Sequence, residues 1–357
     1  MKFVHIADMH FDAPFTSLSA KENLGDIRRL EQRKVFKKII EYIKDNNIEY
    51  FFIAGDLYEH EYVKKTTIEF IINSFKEIPN TKVFITPGNH DPYLKNSFYN
   101  NYNFGENVYI FKDNIEKYED NNVIIYGMGF TEFYMNKSPI ENMILEQSEK
   151  LNILITHCDL NGSKDIEGFA YNPILESKLN SLGFDYVAMG HIHRNNIRNN
   201  KTRMFYPGST ISLGFDELGE HGMIVGDVTK DNLNINFIKL DERIFTKIGV
   251  NVESFYSKEE LIEYILDINL IEKNLYKVIL TGKRNFEINT RDILKVVSHR
   301  NILKIKDQTK LNYNLEELAK ENNLKGIFVR EAMEKLKEGK YTKEEIERAI
   351  EIGLDVM

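Results

Sequence analysis

The sequence predicts an α/β fold over its first two thirds, with helices on both faces of a sheet, followed by a small α+β part and C-terminal helices. Short apolar runs that stop at polar clusters alternate there with amphipathic stretches. The runs are continuously apolar, which is typical of strands buried on both faces. In the first amphipathic stretch, apolar residues recur at the i, i+3, i+4, i+7 spacing of a helix. These residues are Phe36, Ile39, Ile40 and Ile43.

The predicted elements follow one another in a regular order. A strand at 2–7 precedes a helix at 28–47. A strand at 49–56 precedes a helix at 64–78. Further apolar runs predict strands at 82–91, 123–130, 151–159 and 184–193. Nearly alternating patterns then indicate an added antiparallel part, at 203–209, 222–228 and 232–240.

The character of the sequence changes at about residue 246, where short strands and short helices begin. Two stretches, SKEELIEYIL and TKEEIERAI, place Ser or Thr three residues before Glu, which is the capping box of a helix start. We therefore predict three parts. They are an α/β domain at 1–245, a small α+β domain at 246–315 and a C-terminal helical segment at 316–357.

Composition and charge narrow the possible classes of function. The 357 residues are 42% hydrophobic and 29% charged, as in a globular protein with a sizeable core. A net charge of −8 argues against a protein that coats nucleic acid over its whole surface, so such contact must use a local patch. We expect no signal peptide and no membrane span, because polar residues come early and no run of 18 apolar residues exists. The single cysteine, Cys158, favours a reducing cytoplasm.

Each strong apolar strand of the first part stops at residue types that bind metals. The clusters are Asp8-Met9-His10, Gly55-Asp56, Gly88-Asn89-His90-Asp91, His157 and Gly190-His191-Ile192-His193. Because ligands bind at the carboxyl ends of strands in α/β sheets, we expect these clusters to converge. Their oxygen and nitrogen donors suit Mn²⁺, Fe or Zn²⁺. Singly, Asp8 could cap a helix and Asn89 could hold a turn, but five such clusters together are not expected by chance.

Phosphoester hydrolysis is the chemistry that uses such a set. Two cations about 3.5–4 Å apart clamp the phosphate and generate hydroxide near neutral pH, and they need about seven side chains, one of them shared. The candidate metal ligands are Asp8, His10, Asp56, Asn89, His157, His191 and His193. His90 neighbours a ligand without being needed as one, so it is the candidate catalytic residue.

The stretch GHIH at 190–193 illustrates the predicted geometry. The i, i+2 spacing of His191 and His193 suits one ligand to each of two neighbouring cations. We expect Gly190 to let the backbone come close, and we expect Ile192 to turn away into the core.

The ordered motifs D-x-H, GD, GNHD, H and GH-x-H are similar to those of the calcineurin-like metallophosphoesterase superfamily. The stretches HIADMHFDAPF, AGDLYE, PGNHDP, DYVAMGHIHR and YPGS resemble the SbcD-like DNA repair exonucleases, and DMHFDAPF resembles their YhaO-like branch. The similarity covers most of the chain and is weakest at 246–300. It implies a four-layer α/β/β/α sandwich with a smaller α+β capping domain and C-terminal helices.

The resemblance implies a role for each matching residue. Metal one would be held by Asp8, His10, Asp56 and His193. Metal two would be held by Asp56, Asn89, His157 and His191, so that Asp56 bridges two divalent cations, which we expect to be Mn²⁺. His90 would face the phosphate, either donating a proton to the leaving oxygen or stabilising developing charge. Asp91 either orients His90 or caps the following turn.

Two positions depart from the family pattern. Some relatives carry a second histidine directly after GDLF, where this chain has Glu59, and His60 comes one residue later. Asp12 stands where several relatives have glycine, and it either approaches the metals through water or holds a turn.

The substrate and partners are predicted mainly from the resemblance. It implies a DNA exonuclease or endonuclease in DNA repair, a C-terminal segment that docks on an SMC-like (YhaN-like) ATPase, and a homodimer. The basic residues after the last motif either track a nucleic-acid backbone or form a solvated hairpin; they are Arg194, Arg198, Lys201 and Arg203. Two other functions stay open: a metallophosphoesterase acting on nucleotides, cyclic nucleotides or phosphoproteins, and a non-catalytic scaffold on the same fold.

Overall fold

The computed structural model describes residues 1–15, 18, 23–146, 148–197 and 202–355. The described residues form two compact units. Unit 1 comprises Met1–Thr246 and Ile271–Tyr276, and unit 2 comprises Lys247–Leu270 and Lys277–Met357.

Unit 1 contains four helices and thirteen strands among its described residues. The strands are β1 Lys2–Ile6, β2 Tyr50–Ala54, β3 Lys82–Thr86, β4 Val108–Ile110, β5 Glu116–Glu119, β6 Val123–Gly127, β7 Leu151–His157, β8 Asp159–Leu160, β9 Pro173–Ile174, β10 Tyr186–Gly190, β11 Met204–Phe205, β12 Gly222–Val228 and β13 Leu233–Lys239. The helices are α1 Leu24–Asp45, α2 Lys65–Lys76, α3 Phe98–Asn101 and α4 Glu176–Leu182, and a 3₁₀ helix lies at Pro139–Asn142.

Two mostly parallel sheets form the centre of unit 1. The first has the order β13-β12-β1-β2-β3-β4, and the second has the order β11-β10-β7-β6-β5. β1 to β4 are parallel, whereas β12 and β13 add to the edge in antiparallel orientation, as the alternating pattern predicts. The predicted antiparallel strand at 203–209 is wrong in part, because only β11 forms there and it pairs parallel to β10.

Successive side chains of the strands supply different layers, because they point to opposite faces. In β1, Val4 and Ile6 pack with the buried faces of α1 and α2. Phe3 lies between the two sheets, where it meets Tyr186 of the second sheet at a ring distance of 4.4 Å. The outer face of the second sheet is covered by Leu179 of α4 and by the 3₁₀ helix. The predicted four-layer α/β/β/α order is therefore confirmed.

The topology brings the carboxyl ends of five strands to neighbouring positions. β1, β2 and β3 are parallel neighbours in one sheet, and β7 and β10 are parallel neighbours in the other. Each of these strands ends at one of the polar clusters found in the sequence. Parallel strands leave their carboxyl ends at one edge of a sheet, so the clusters can converge there.

Unit 2 combines small sheets with helices. Its elements are β14 Phe245–Asn251, α5 Lys258–Asp267, β15 Leu275–Thr281, β16 Lys283–Arg284, α6 Thr290–Val297, β17 Ile302–Asp307, β18 Lys310–Leu311, α7 Leu315–Leu318, α8 Leu324–Lys337 and α9 Lys343–Asp355, with a 3₁₀ helix at Ser298–Arg300. β14, β15 and β17 form one sheet, and β16 pairs with β18. The last two helices pack through Val329, Ile346 and Ile350. None of the described helices has the length and apolar character needed to cross a lipid bilayer.

A buried ion pair fastens α1 to the end of unit 1. The Arg28 guanidinium is fully buried, donates to both carboxylate oxygens of Asp241 at 3.2 and 2.9 Å, and donates to the carbonyl of Ser212 at 2.7 Å. Removing one partner of such a pair leaves an uncompensated charge inside the protein.

We expect Arg28→Ala to lower the free energy of unfolding by about 3–5 kcal/mol, because the Asp241 carboxylate would stay buried without its cation. Urea denaturation measures the change. The matched control is Arg29→Ala on the same helix, whose partner Asp26 is exposed and whose loss should cost about 1 kcal/mol or less. Equal losses in the two variants would contradict the assignment.

Candidate metal centre

The loops that follow the strands adopt left-handed backbone at the residues that carry candidate ligands. Asp8, His10, Asp56 and His191 have φ angles of 52°, 47°, 52° and 98°. Non-glycine residues rarely take this conformation, and where they do they cluster at functional sites. The loops after β1 and β2 also bond to each other, since Asp8 donates to the carbonyl of Gly55 at 3.1 Å and His10 to that of Asp56 at 2.9 Å.

Gly190 permits the close approach that the GHIH motif predicts. A Cβ atom at this position would lie 1.8 Å from the carbonyl oxygen of Ala54. Only glycine leaves room for that contact, so the end of β10 can lie against the end of β2. The main-chain N–H of His191 then donates to both carboxylate oxygens of Asp8, at 3.0 and 3.2 Å.

One group of ligand atoms is formed by Asp8, His10 and His193, all within 4.8 Å of one another. The Nε2 atoms of His10 and His193 are 3.2 Å apart. The Nε2 of His193 lies 3.8 Å from Asp8 Oδ1, and the Nε2 of His10 lies 3.7 Å from Asp56 Oδ2. These donors match the set expected for metal one.

A second group lies on the other side of Asp56. The Nε2 of His157 is 3.3 Å from Asp56 Oδ2 and 3.0 Å from Asn89 Oδ1, and Asp8, Asp56 and His157 also meet the 4.8 Å criterion. The same Asp56 oxygen therefore faces His10 on one side and His157 on the other. This is the position that a bridging carboxylate requires.

The histidines are held so that their Nε2 atoms face the centre. His157 Nδ1 lies 2.9 Å from the carbonyl oxygen of Ala54, which fixes that nitrogen as the donor. The Nδ1 atoms of His10 and His193 lie 2.8 and 2.6 Å from carboxylate oxygens of Glu59 and Glu217. Two Nε2 lone pairs that face each other at 3.2 Å repel unless a proton or a cation lies between them, so the donor set fits a cation.

His191 lies beside the three ligand-atom groups of the described residues rather than within one of them. Its ring stacks on Tyr171 at 5.1 Å and meets the edge of His157 at 5.2 Å. Burial, followed by the neighbouring His157, lowers the pKa of His191 to about 3. The imidazole is therefore neutral near pH 7, which is the form that binds a metal.

His90 stands at the open side of the centre, with its side chain 46% exposed. Its main-chain N–H donates to Asp56 Oδ1 at 2.8 Å, and its Nδ1 lies 2.9 Å from Glu59 Oε2. Against the effect of burial, the hydrogen bond to Glu59 and the charge of Asp56 raise the pKa of His90 to about 9. The imidazole is thus protonated near neutral pH and can donate a proton. It also falls within 4.8 Å of ligand atoms of His10 and Asp56.

Comparison with known proteins agrees with this geometry. Residues 1–195 match the model of the calcineurin-like phosphoesterase family. The chain belongs to this family. It is 24% identical over 280 residues to the uncharacterized metallophosphoesterase YhaO of Bacillus subtilis (strain 168), covering 75% of this chain and 67% of that protein. It is 27% identical over 276 residues to the SbcD component of the nuclease SbcCD of Staphylococcus epidermidis (strain ATCC 12228 / FDA PCI 1200), covering 67% of this chain and 70% of that protein. The resemblance stated from the motifs is confirmed.

Within this phosphoesterase, Asp91 organises loops and does not hold His90. One carboxylate oxygen accepts from the N–H groups of Asp56 and Gly88, at 3.0 and 2.6 Å. The other accepts from the N–H of Leu57 at 2.7 Å and from the Tyr99 hydroxyl at 2.6 Å. The expected contact between Asp91 and the His90 ring is replaced by the one from Glu59.

Two glutamates of the site carry no sequence signal for their roles. Glu59 stands out in the sequence only as a departure from the family pattern, although it bonds both His10 and His90. Glu217 lies 24 residues after His193, and no spacing rule connects the two. Although burial opposes ionisation, hydrogen bonds from the histidines lower the pKa of each glutamate to about 2. Both carboxylates are therefore charged at neutral pH.

The two departures turn away from the metal groups. Asp12 accepts from the N–H of Lys64 at 3.0 Å and from the hydroxyl of Thr67 at 2.5 Å, so it holds the start of α2. The ring of His60 meets Phe133 at 6.1 Å.

The basic residues after GHIH do not act as one patch. Arg194 is exposed and lines a cavity of about 1200 Å³ together with His193. Ile192 lines the same cavity and is 36% exposed, so the expectation that it turns into the core is wrong. Arg203 bonds the carbonyl of Asp185 at 3.0 Å, beyond the amino end of β10, whereas His193 follows its carboxyl end. Arg198 and Lys201 lie outside the described residues.

We expect Asp91→Asn to lower phosphoesterase activity by about 10–100-fold, as loss of groups that orient metal ligands generally does. The amide places an NH₂ group where the carboxylate accepts hydrogen bonds from two sides, so the loops carrying Asp56 and Asn89 lose their common anchor. Mn²⁺-dependent hydrolysis of a model phosphodiester measures the activity, and thermal unfolding measures the stability. Unchanged values of both would contradict the anchoring role.

Proposed function

We propose that the chain is a metal-dependent nuclease that hydrolyses phosphodiester bonds of DNA with two divalent cations, Mn²⁺ in the cell. The observation that carries the proposal is the position of Asp56, whose Oδ2 lies 3.7 Å from His10 Nε2 and 3.3 Å from His157 Nε2. Membership in the phosphoesterase family supports the reaction class. The printed name of one relative, part of a nuclease, supports the substrate class.

The residues present fit two cations that share one carboxylate. We assign Asp8, His10, Asp56 and His193 to one of them, and Asp56, Asn89, His157 and His191 to the other. When bound, such a pair polarises the phosphoryl oxygens and lowers the pKa of water. The protein keeps the donor imidazoles neutral at Nε2 by engaging their Nδ1 atoms with Glu59, Glu217 and the Ala54 carbonyl.

His90 supplies the proton that the leaving oxygen needs. Its Nδ1 is engaged by Glu59, so Nε2–H is the atom left for the substrate. The half-exposed ring stands beside His10 at a ring distance of 4.8 Å, where a phosphate bound at the centre comes within reach. A raised pKa keeps this imidazole charged at neutral pH.

DNA is the substrate that the surroundings of the centre favour over a small ester. The cavity beside His193 is larger than one nucleotide needs, and Arg194 supplies a positive charge at its wall. Since the net charge of the chain is −8, contact with phosphates has to be local. A phosphoesterase for nucleotides, cyclic nucleotides or phosphoproteins is the alternative that the same metal centre allows.

We also propose a role in DNA repair in the cytoplasm, with an SMC-like, YhaN-like ATPase as partner and a homodimer of this chain. Residues 246–315 would cap the nuclease domain, and 316–357 would dock the ATPase. Exposed apolar side chains on α8 and α9 support the docking role: Leu324, Ile327 and Ile352 are 67%, 50% and 54% exposed. Copurification that recovers no such ATPase, or equal recovery with Ile327→Asp, would count against it.

The function is tested with four substrates in the presence of Mn²⁺: single-stranded DNA, double-stranded DNA, bis(p-nitrophenyl) phosphate and a mononucleotide. We expect cleavage of DNA and of the model diester, and loss of both after treatment with EDTA, because the ligand set needs its cations. Cleavage of the model ester without any cleavage of DNA would refute the nuclease. A protein inactive on all four substrates would favour the scaffold.

We expect His90→Ala to lower kcat on DNA by about 10²–10⁴-fold, the usual contribution of a general acid, while two metal ions still bind. Steady-state kinetics measure the first effect, and calorimetric titration with Mn²⁺ measures the second. A variant that keeps the full rate would show that His90 has another role.

We expect Asp56→Ala to lose tight binding of at least one Mn²⁺ ion per chain, because the carboxylate faces both ligand groups. The number of bound ions is obtained by calorimetry or by metal analysis after gel filtration. Two tightly bound ions in this variant would exclude the bridging role.

A further inference from the structure

Glu59 joins two side chains with different tasks. It follows β2 and its side chain is 13% exposed. Its Oε1 lies 2.8 Å from His10 Nδ1, and its Oε2 lies 2.9 Å from His90 Nδ1. Each oxygen of the carboxylate thus serves a different imidazole, one of a candidate metal ligand and one of the candidate acid.

We propose that Glu59 is a positioning residue that holds His10 and His90 in one geometry, so that metal binding and proton donation depend on the same carboxylate. This inference rests on the proposed function, because it takes His10 as a metal ligand and His90 as the proton donor.

Only a carboxylate can serve both imidazoles in this way. It offers an acceptor oxygen to each Nδ1–H, which leaves Nε2 of His10 for the cation and Nε2 of His90 for the substrate. A glutamine at the same place has one acceptor and one donor group. One of the two histidines would then meet an N–H group and have to rotate or change its tautomer.

The main chain around Glu59 fixes the carboxylate between the loops after β1 and β3. The Glu59 N–H donates to the carbonyl of Phe11 at 3.1 Å, and the next N–H, of His60, donates to the carbonyl of His90 at 2.9 Å. The Glu59 carbonyl accepts from the N–H of Val63 at 2.8 Å. The side chain therefore starts from a backbone that is tied to both loops whose histidines it contacts.

Glu217 provides a comparison within the same site. One of its oxygens lies 2.6 Å from His193 Nδ1, while the other accepts from the Ser209 hydroxyl at 2.8 Å and from the N–H of Leu213 at 3.1 Å. It supports one imidazole, whereas Glu59 supports two. The two glutamates therefore separate the effect on a metal ligand from the effect on His90.

We expect Glu59→Gln to weaken Mn²⁺ affinity by about 10–100-fold and to lower kcat at saturating Mn²⁺ by a similar factor. Calorimetric titration with Mn²⁺ gives the affinity, and hydrolysis of bis(p-nitrophenyl) phosphate gives kcat and KM. Glu217→Gln should weaken the affinity with a smaller loss of kcat. Glu59→Asp keeps two acceptor oxygens and should recover part of both losses.

The matched control is Glu61→Gln, which changes an exposed glutamate of the same loop and should alter both quantities by no more than about twofold. A double-mutant cycle with His90→Ala separates positioning from general damage. If Glu59 acts on kcat through His90, Glu59→Gln should add no further loss of kcat in the His90→Ala background, yet still weaken Mn²⁺ affinity.

Additive losses of kcat in the cycle, or unchanged affinity and kcat in Glu59→Gln, would overturn the proposal. An inactive wild-type protein would refute the proposed function instead. The titrations would then decide on the His10 half of the inference, and equal Mn²⁺ affinities of wild type and Glu59→Gln would overturn it.

Discussion

The buried carboxylate of Asp91 is the contact on which the arrangement of the metal centre depends. It accepts hydrogen bonds from the main chain of both loops that carry Asp56 and Asn89, and from the Tyr99 hydroxyl. Burial and the charge of Asp56 raise its pKa to about 6, so the hydrogen bonds act against a tendency of this group to lose its charge. Main-chain donors that point inward have no other partner of this kind, and a neutral side chain could not satisfy all of them.

The two stacked sheets give this anchor its precision. Strands that are apolar on both faces bury their side chains in a layer of helices on one side and in the other sheet on the opposite side. Packed layers of this kind move little, so the ends of their strands keep fixed distances. Polar side chains placed on those ends therefore meet without any regular element of their own, and the positive φ angles at Asp8, Asp56 and His191 direct them towards one another.

Much of the fold and of the candidate ligand set could be predicted from the sequence, because both depend on local patterns. Continuous apolar runs mark buried strands, and a histidine or aspartate at the end of such a run has few positions to occupy. Glu59 and Glu217 could not be predicted in their roles, since which histidine a glutamate reaches depends on how distant loops fold together. Arg203 looked equivalent to Arg194 because sequence spacing does not show that a short strand carries it beyond the amino end of β10.

The facing Nε2 atoms of His10 and His193 have a thermodynamic consequence for the whole chain. These donors come from separate loops, so their arrangement exists only in the native state. A cation that they hold favours that state over the unfolded chain by mass action, in proportion to the logarithm of its free concentration. Resistance to unfolding would then follow the supply of the metal, and the amount of intact protein in a cell would report on that supply.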